Sequence, residues 1–224
     1  MSKISQGNKG EEKVKKVLNS IKEKHIVFND ISFKNEHSEM THQIDHIVIK
    51  SNGVFVIETK NYFGKILVSK DGKNWTKIVG NKIEKISSPV MQNKSHAVTV
   101  FKAIRGYVKT VPVVVFVQNN SPYIESENVI NLKDLKLFLD TYENDVVLDD
   151  NQINEIAKMI KNSSIEITRD EHIFNIKYYK QIIQEREEEM SIAIETNSCP
   201  LCGSQMLRKG QLYYCSKCDF RFYL

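Results

Sequence analysis

Several things are missing from this chain of 224 residues. No apolar run approaches the ~18 residues needed to span a bilayer, which excludes a helical membrane protein. The first residues are polar and lysine-rich, with no apolar stretch of the kind that marks a secretory signal. The expected location is therefore cytoplasmic, with no membrane partner. Cysteine is absent before Cys199, and all four thiols fall within the last 26 residues. Such a distribution excludes a disulfide-stapled main body. There is no internal repeat and no low-complexity tract. Strong charge of one sign is lacking too. The net charge of +4 permits nucleic-acid binding but does not argue for it alone. With 41% hydrophobic and 27% charged residues, the composition is that of a globular protein. The length suffices for one good core and a small appendage.

The chain is organised around Gln43-Ile44-Asp45-His46-Ile47-Val48-Ile49, then Lys50-Ser51-Asn52-Gly53, then Val54-Phe55-Val56-Ile57-Glu58-Thr59-Lys60. Two β-branched, apolar runs flank Asn52-Gly53, the strongest short hairpin signal. Asp45, Glu58 and Lys60 interrupt them, and charges in apolar strands are costly unless paired or holding a metal. A two-residue turn at Asn52-Gly53 would set Asp45 opposite Lys60 and Ile47 opposite Glu58. Alternation along the strands then puts Asp45, Glu58 and Lys60 on one face. The two carboxylates become diagonal neighbours, able to converge on one divalent cation.

Asp followed by Glu-x-Lys on the next strand resembles the PD-(D/E)XK nuclease superfamily. The flanking residues are more specific. Gly7-Asn8-Lys9-Gly10-Glu11, Gln43-Ile44-Asp45-His46, Asn52-Gly53-Val54-Phe55-Val56-Ile57-Glu58-Thr59-Lys60-Asn61-Tyr62, Gly64 and Trp75 resemble the nuclease-related domain, NERD. The likeness is dense over about 7–75 and thinner to about 120. It implies a restriction-endonuclease-like mixed sheet flanked by helices, an α/β fold, and a metal-dependent nuclease, and it carries fold and site better than substrate, for which DNA is the expectation. It also implies that Asp45 and Glu58, with the backbone carbonyl of Thr59, bind magnesium or manganese, hard ions suited to oxygen ligands. Lys60 would orient or deprotonate the attacking water, with its pKa lowered by burial and a cation, and would offset charge on the phosphate. Glu11, Gln43 and Gln92 match family positions. Glu11 reads equally as an acid favoured by the dipole in a first helical turn. Each glutamine reads equally as a polar residue fixing a loop or helix. His46 has the opposite strand parity from Asp45 and is read as structural, and Trp75 as core.

Along the rest of the chain, residues 7–24 read as a helix, with Glu11, Val14, Leu18 and Ile21 on one face. A strand is expected over 26–33, followed by a polar loop from Lys34 to Thr41. Short strands are expected at 65–69, 74–79 and 82–86, punctuated by Asp71-Gly72 and Gly80-Asn81. Ser88-Pro89 signals a helix start, with the helix running to about 108. Val113 to Val117 reads as a strand buried on both faces. Helices follow over 132–142 and 150–162, and a long polar helix over 171–194. Expected boundaries are a nuclease-like domain at 1–165, a connecting helix at 166–196 and a ribbon at 197–224.

Cys199-Pro200-Leu201-Cys202 and Cys215-Ser216-Lys217-Cys218 are separated by twelve residues. Two such knuckles suit a structural tetrahedral zinc site, with redox dithiols as the alternative. The segment resembles the zinc ribbons at the C-termini of bacterial type I topoisomerases. Arg208, Lys209, Lys217 and Arg221 oppose only Asp219, among Tyr213, Tyr214, Phe220, Phe222 and Tyr223. Basic residues among aromatics fit nucleic-acid binding, although at least two of the rings are expected to form the ribbon's core. A non-catalytic DNA-binding or scaffolding protein that retains the fold is the alternative function, and RNA the alternative substrate. Oligomeric state is not legible.

Overall fold

The structure, a computed structural model, describes residues 3–34, 40–69, 72, 74–118 and 128–224. Residues 35–39 of the expected polar loop, and Asp71 of the Asp71-Gly72 turn, lie outside the described residues. The chain divides into two compact units, Met1–Ile167 and Thr168–Leu224. In the first, α1 (Lys3–Asn19) precedes β1 (Ile26–Lys34), β2 (Thr41–Lys50) and β3 (Gly53–Lys60). Then come β4 (Lys65–Val68), β5 (Trp75–Val79), β6 (Lys82–Ile86), α2 (Pro89–Ala103), β7 (Thr110–Phe116) and β8 (Val129–Asn131). A 3-10 turn at Leu132–Asp134 leads into α3 (Leu135–Thr141), and α4 (Asp150–Ser163) follows. The second unit holds α5 (Arg169–Thr196), β9 (Met206–Lys209), β10 (Leu212–Cys215) and β11 (Arg221–Tyr223).

A five-stranded mixed sheet, ordered β1-β2-β3-β7-β8, carries the first unit. The first three strands are antiparallel, while β3, β7 and β8 run parallel. Parallel neighbours need a crossover, and α2 lies in the connection from β3 to β7. Both faces of the sheet are covered. Ile47, Ile49, Val54 and Val56 pack with Ala97, Val100 and Ile104 of the α2 segment and Ile153, Ile156 and Ile160 of α4. Val48, Phe55, Ile57, Val113 and Val115 pack on the other face with Val14 and Leu18 of α1 and Leu135 and Leu139 of α3. This is the expected mixed sheet flanked by helices. The strands β4, β5 and β6 form a separate three-stranded antiparallel sheet. Trp75 is buried there and stacks on Phe116, so it is a core residue.

The hairpin register differs from the sequence expectation. Lys50 pairs with Gly53 and His46 with Ile57, so the turn is Ser51-Asn52 and not Asn52-Gly53. Asp45 therefore falls across from Glu58, not Lys60, and Ile47 pairs with Val56, not Glu58. Tertiary bonds explain the choice. The Asn52 side chain donates to the Leu139 and Tyr142 carbonyls at 2.9 and 3.1 Å, satisfying the end of α3. The Asn52 carbonyl accepts from Asn144, and the Ser51 carbonyl from the Leu148 amide. A shift of two residues conserves side-chain parity, so the carboxylates still share a face.

Other boundaries move for local reasons. Helix α1 spans Lys3–Asn19 instead of 7–24, so Glu11 sits in mid-helix and not in the first turn. Ile21 is buried beyond its end. Helix α2 stops at Ala103, short of 108, in a Schellman closure. There Arg105 and Gly106 are left-handed, with Arg105 N–H donating to Lys102 O and Gly106 N–H to Phe101 O. At its start Ser88 accepts from the Met91 amide and Pro89 opens the helix, as expected. A reciprocal Asp149–Gln152 capping box starts α4.

One buried side chain fastens α2 to the sheet. The Asn93 amide donates at 2.9 Å to the carbonyls of both Val56 on β3 and Val113 on β7. Asn93→Ala would leave two buried carbonyls without these partners. We expect it to lower unfolding stability by roughly 2–3 kcal/mol, read as a lower urea midpoint for the first unit.

Candidate active site

The Glu58 carboxylate is the centre of a cluster at the end of β3. The Lys60 ammonium lies 2.5 Å from Glu58 Oε1 and donates to Gln92 Oε1 at 3.1 Å. His96 Nδ1 stands 3.3 Å from Glu58 Oε2, at ion-pair range. Asp45 continues the β2 register to a place across from Glu58, just past the last paired residues, His46 and Ile57. Its Oδ2 accepts the Thr59 amide at 2.7 Å. The main chain of Thr59 thus meets Asp45 through its N–H. Glu11, from α1, lies near enough for its charge to act on Asp45. Gln43 is engaged differently. Its amide donates to Asp30 on β1, a non-glycine residue held at φ 53° in mid-strand.

Neighbouring contacts fix this geometry. Asn61, directly after Lys60, exchanges two hydrogen bonds with Gln6, and its Oδ1 accepts from Gln118. The Lys60 carbonyl accepts the Val117 amide. A Cβ at Gly10 would stand 2.8 Å from Asn61 Cβ, so glycine there lets α1 close on the end of β3. His96, absent from the sequence-predicted set, is buried with its ring edge-on to His42 at 5.8 Å. The signal for it was its spacing. Gln92 and His96 are four apart and share one helical face.

Electrostatics separate the two carboxyls. Asp45 is half-buried as a residue, but its carboxylate is enclosed. Burial, then the charge of Glu58, push it well above the ordinary range, against the Thr59 amide and Lys60. Burial would raise Glu58 as well, but His96 and Lys60 hold it below its usual value. The expected lowering of Lys60 rests on burial together with a bound cation, and without that cation its value is raised. Burial pulls it down, but Glu58, Tyr62 and Asp45 outweigh that and raise it. His46 is structural by geometry, buried with Nδ1 2.7 Å from Asn29 Oδ1. Burial, then Lys15, lowers it to about 4. The donor set fits a hard divalent cation. Two enclosed carboxylates, one of them held up by the other's charge, gain from a cation between them.

In the second unit, Cys199, Cys202, Cys215 and Cys218 bring their sulfurs within 4.8 Å of one another, a group able to hold a metal ion. The nearest pairs are 3.5 Å apart. A disulfide is about 2.05 Å, whereas ligands about 2.3 Å from a tetrahedral zinc stand roughly 3.8 Å apart. Bonds from Ser204 lower Cys202 to about 6. The Phe220 amide would lower Cys218, but Cys199 and burial outweigh it and raise that thiol to about 12. Phe220 and Phe222 are buried around the cluster with Met206 and Ala193 of α5, so two of the aromatics are core. Arg186 lies 4.4 Å over Phe220.

The pairing of β9, β10 and β11 divides the basic residues. Lys209 and Arg221 share the outer face with Tyr214 and Tyr223. Arg208 shares the inner face with Tyr213, whose ring it covers at 5.2 Å. Lys217 is exposed in the second knuckle, its amide donating to Cys215 Sγ.

The first unit is thus an α/β domain with two carboxylates and a lysine gathered at the end of β3 in a mixed sheet. The model of the nuclease-related domain family (NERD) matches residues 6–117, and the chain belongs to that family. An uncharacterized protein of Bacillus anthracis is 29% identical over 178 residues, covering 77% of this chain and 82% of its own. No solved structure matches the chain.

The lowered value of His46 makes stability depend on pH. The unfolded imidazole takes up a proton near its ordinary 6.5, while the folded one resists it down to about 4. Stability present above about pH 6.5 is therefore lost as pH falls toward 4. Asp45 opposes this trend, so the useful comparison is between variants. His46→Gln should flatten the loss by no more than about 3 kcal/mol, measured as urea midpoints from pH 7 to 4.

Proposed function

We propose that this chain is a divalent-metal-dependent nuclease that hydrolyses phosphodiester bonds of DNA, with its cysteine cluster holding a structural zinc ion. The observation that carries the reading is the enclosed Asp45 carboxylate across from Glu58, with the Lys60 ammonium 2.5 Å from Glu58. Membership of the nuclease-related domain family and the resemblance to PD-(D/E)XK enzymes support it.

On this reading Asp45 and Glu58, with the Thr59 carbonyl, hold magnesium or manganese. The ion supplies Lewis acidity at the scissile phosphate and an activated water. The residues of the chain do the rest. Lys60, kept protonated by Glu58, lies against charge building on the phosphate. Gln92 orients the Lys60 ammonium through its Oε1. His96 restrains the second oxygen of Glu58, and the Thr59 amide holds Asp45 in one rotamer. Glu11 adds a third carboxylate to the local field. Gln43, bonded to Asp30, steadies β2 against β1 beside Asp45.

The ribbon, similar to those of type I topoisomerases, would supply a second contact to nucleic acid through Lys209 and Arg221 beside Tyr214 and Tyr223, with Arg208 and Lys217 at its margins. Tethering such a module raises the effective concentration of substrate at the first unit. Zinc supplies the folding energy that so small a core lacks.

Asp45→Asn, Glu58→Gln and Lys60→Ala should each lower cleavage by on the order of 100- to 1,000-fold while the fold persists. Purified protein is assayed on single- and double-stranded DNA and on RNA, with magnesium or manganese. The raised Asp45 value means that its ionised form destabilises the metal-free fold at neutral pH. Asp45→Asn should then melt above wild type without metal, and lose the rise in melting temperature that added manganese gives wild type. Full activity in Asp45→Asn, or cleavage that survives thorough chelation, would overturn the reading.

The ribbon is tested separately. Replacing Lys209 and Arg221 by Gln should reduce the salt slope of DNA binding by about two without altering cleavage chemistry. An unchanged slope would assign the ribbon to a protein partner instead.

A further inference from the structure

Beside the carboxylate cluster lies a cavity of about 400 Å³ between the start of α1, the end of β3 and the β4-β5-β6 sheet. Its lining includes Thr59, Lys60, Tyr62, Phe63, Lys77 and Val79. Thr59 and Lys60 make it continuous with the candidate active site. Its size matches a small-ligand pocket, roughly 300–1,000 Å³. Its volume is of the order that one nucleotide occupies.

The walls suit that occupant. Phe63 is 58% exposed although it stands in a well-tethered segment. The next residue, Gly64, is left-handed at φ 91°, and a Cβ on it would lie 2.1 Å from the Ile78 carbonyl of β5. Only glycine permits this approach, so the chain carrying Phe63 is pressed onto the small sheet. Tyr62 packs edge-on to Phe116 at 6.1 Å and lies beneath Lys77 Nζ, 5.5 Å from its ring centroid. Glu84 holds Lys77 in place at 3.0 Å. Lys60, Lys77, Tyr62 and Phe63, with the acid Glu84, thus line one cavity that shares Thr59 and Lys60 with the candidate active site. Aromatic faces stack bases and ammonium groups pair with phosphates.

We propose that this groove binds one unpaired nucleotide of the substrate strand next to the scissile phosphate, with its base against Phe63 and Tyr62 and its phosphate beside Lys77. The proposal rests on the nuclease reading and narrows it. The substrate is a single strand, or a strand end or flap opened at the cleavage position.

The test uses the full chain in calcium buffer, a 12-nucleotide single-stranded DNA carrying 5-iodouracil, and a blunt duplex of the same sequence. We expect ultraviolet crosslinking to the peptide that contains Tyr62 and Phe63. Phe63→Ala should weaken single-strand binding roughly tenfold, leave duplex binding within about twofold, and be rescued by Phe63→Trp. Lys77→Gln should lower the salt slope for the single strand by about one. Phe63 is exposed, so the variant should melt with wild type, and equal melting temperatures verify this. Unchanged affinity in Phe63→Ala, adducts confined to Tyr213 or Tyr214, or equal losses on both DNAs would overturn the groove proposal while cleavage by wild type leaves the nuclease reading standing. Wild type that neither binds nor cleaves either DNA would overturn the nuclease reading and the groove with it.

Discussion

The first unit depends on keeping Asp45 and Glu58 side by side on adjacent strands of a packed sheet. Both carboxyls carry a burial cost, and each raises the cost of ionising the other. The fold answers with partners from two directions. Lys60 comes from the same strand, two residues on and therefore on the same face. His96 comes from α2, and its reach depends on how closely that helix lies to the sheet. Asn93 sets that closeness through its bonds to β3 and β7. On the opposite face, Gly10 brings α1 against Asn61 and so brings Glu11 toward Asp45. A parallel β3–β7 pair places this machinery at the carboxyl ends of its strands, where open α/β sheets commonly bind ligands.

The second unit solves a different problem. It has too little apolar surface for a core of its own size class, and four sulfurs take the place of that core. What surrounds the cluster is modest: Phe220, Phe222, Met206 and a patch of α5 around Met190 and Ala193. Because those two rings are spent inside, Tyr214 and Tyr223 remain on the outer face beside Lys209 and Arg221. Strand alternation in a three-stranded sheet is enough to sort the side chains this way.

Much of this was legible in the sequence because its signals are local. The period-2 pattern of β2 and β3, the Ser88-Pro89 start, the run at β7 and the spacing of the cysteines each rest on chemistry within a few residues. The hairpin register was not legible, because the Asn52 side chain caps carbonyls of Leu139 and Tyr142, far along the chain. The carboxylates nonetheless share a face, since an error of two residues preserves parity. His96 carries one local sign, its spacing from Gln92, but nothing nearby in the chain names Glu58 as its partner. Lys60 depends on its surroundings in a related way. Burial alone argues for a lowered value, and only the placement of Glu58, Tyr62 and Asp45 reverses the sign. The strain at Asp30 likewise has no signature in its neighbours.

The charge inventory of the site adds a constraint of its own. Asp45, Glu58 and Glu11 bring three carboxyls near one ammonium, Lys60, and one imidazole, His96. A phosphodiester approaching this cluster adds a further negative charge in a setting that screens charge less than water does. On the nuclease reading, substrate and divalent cation must therefore favour each other's binding, because each is bound more weakly where the other's charge is missing. That coupling is reciprocal by thermodynamic necessity. The ribbon is exempt from it, since its outer face carries Lys209 and Arg221 and no acid among the paired positions. On the proposed reading, the chain would hold nucleic acid through the second unit irrespective of magnesium or manganese, and engage it at the carboxylates only when the cation is present.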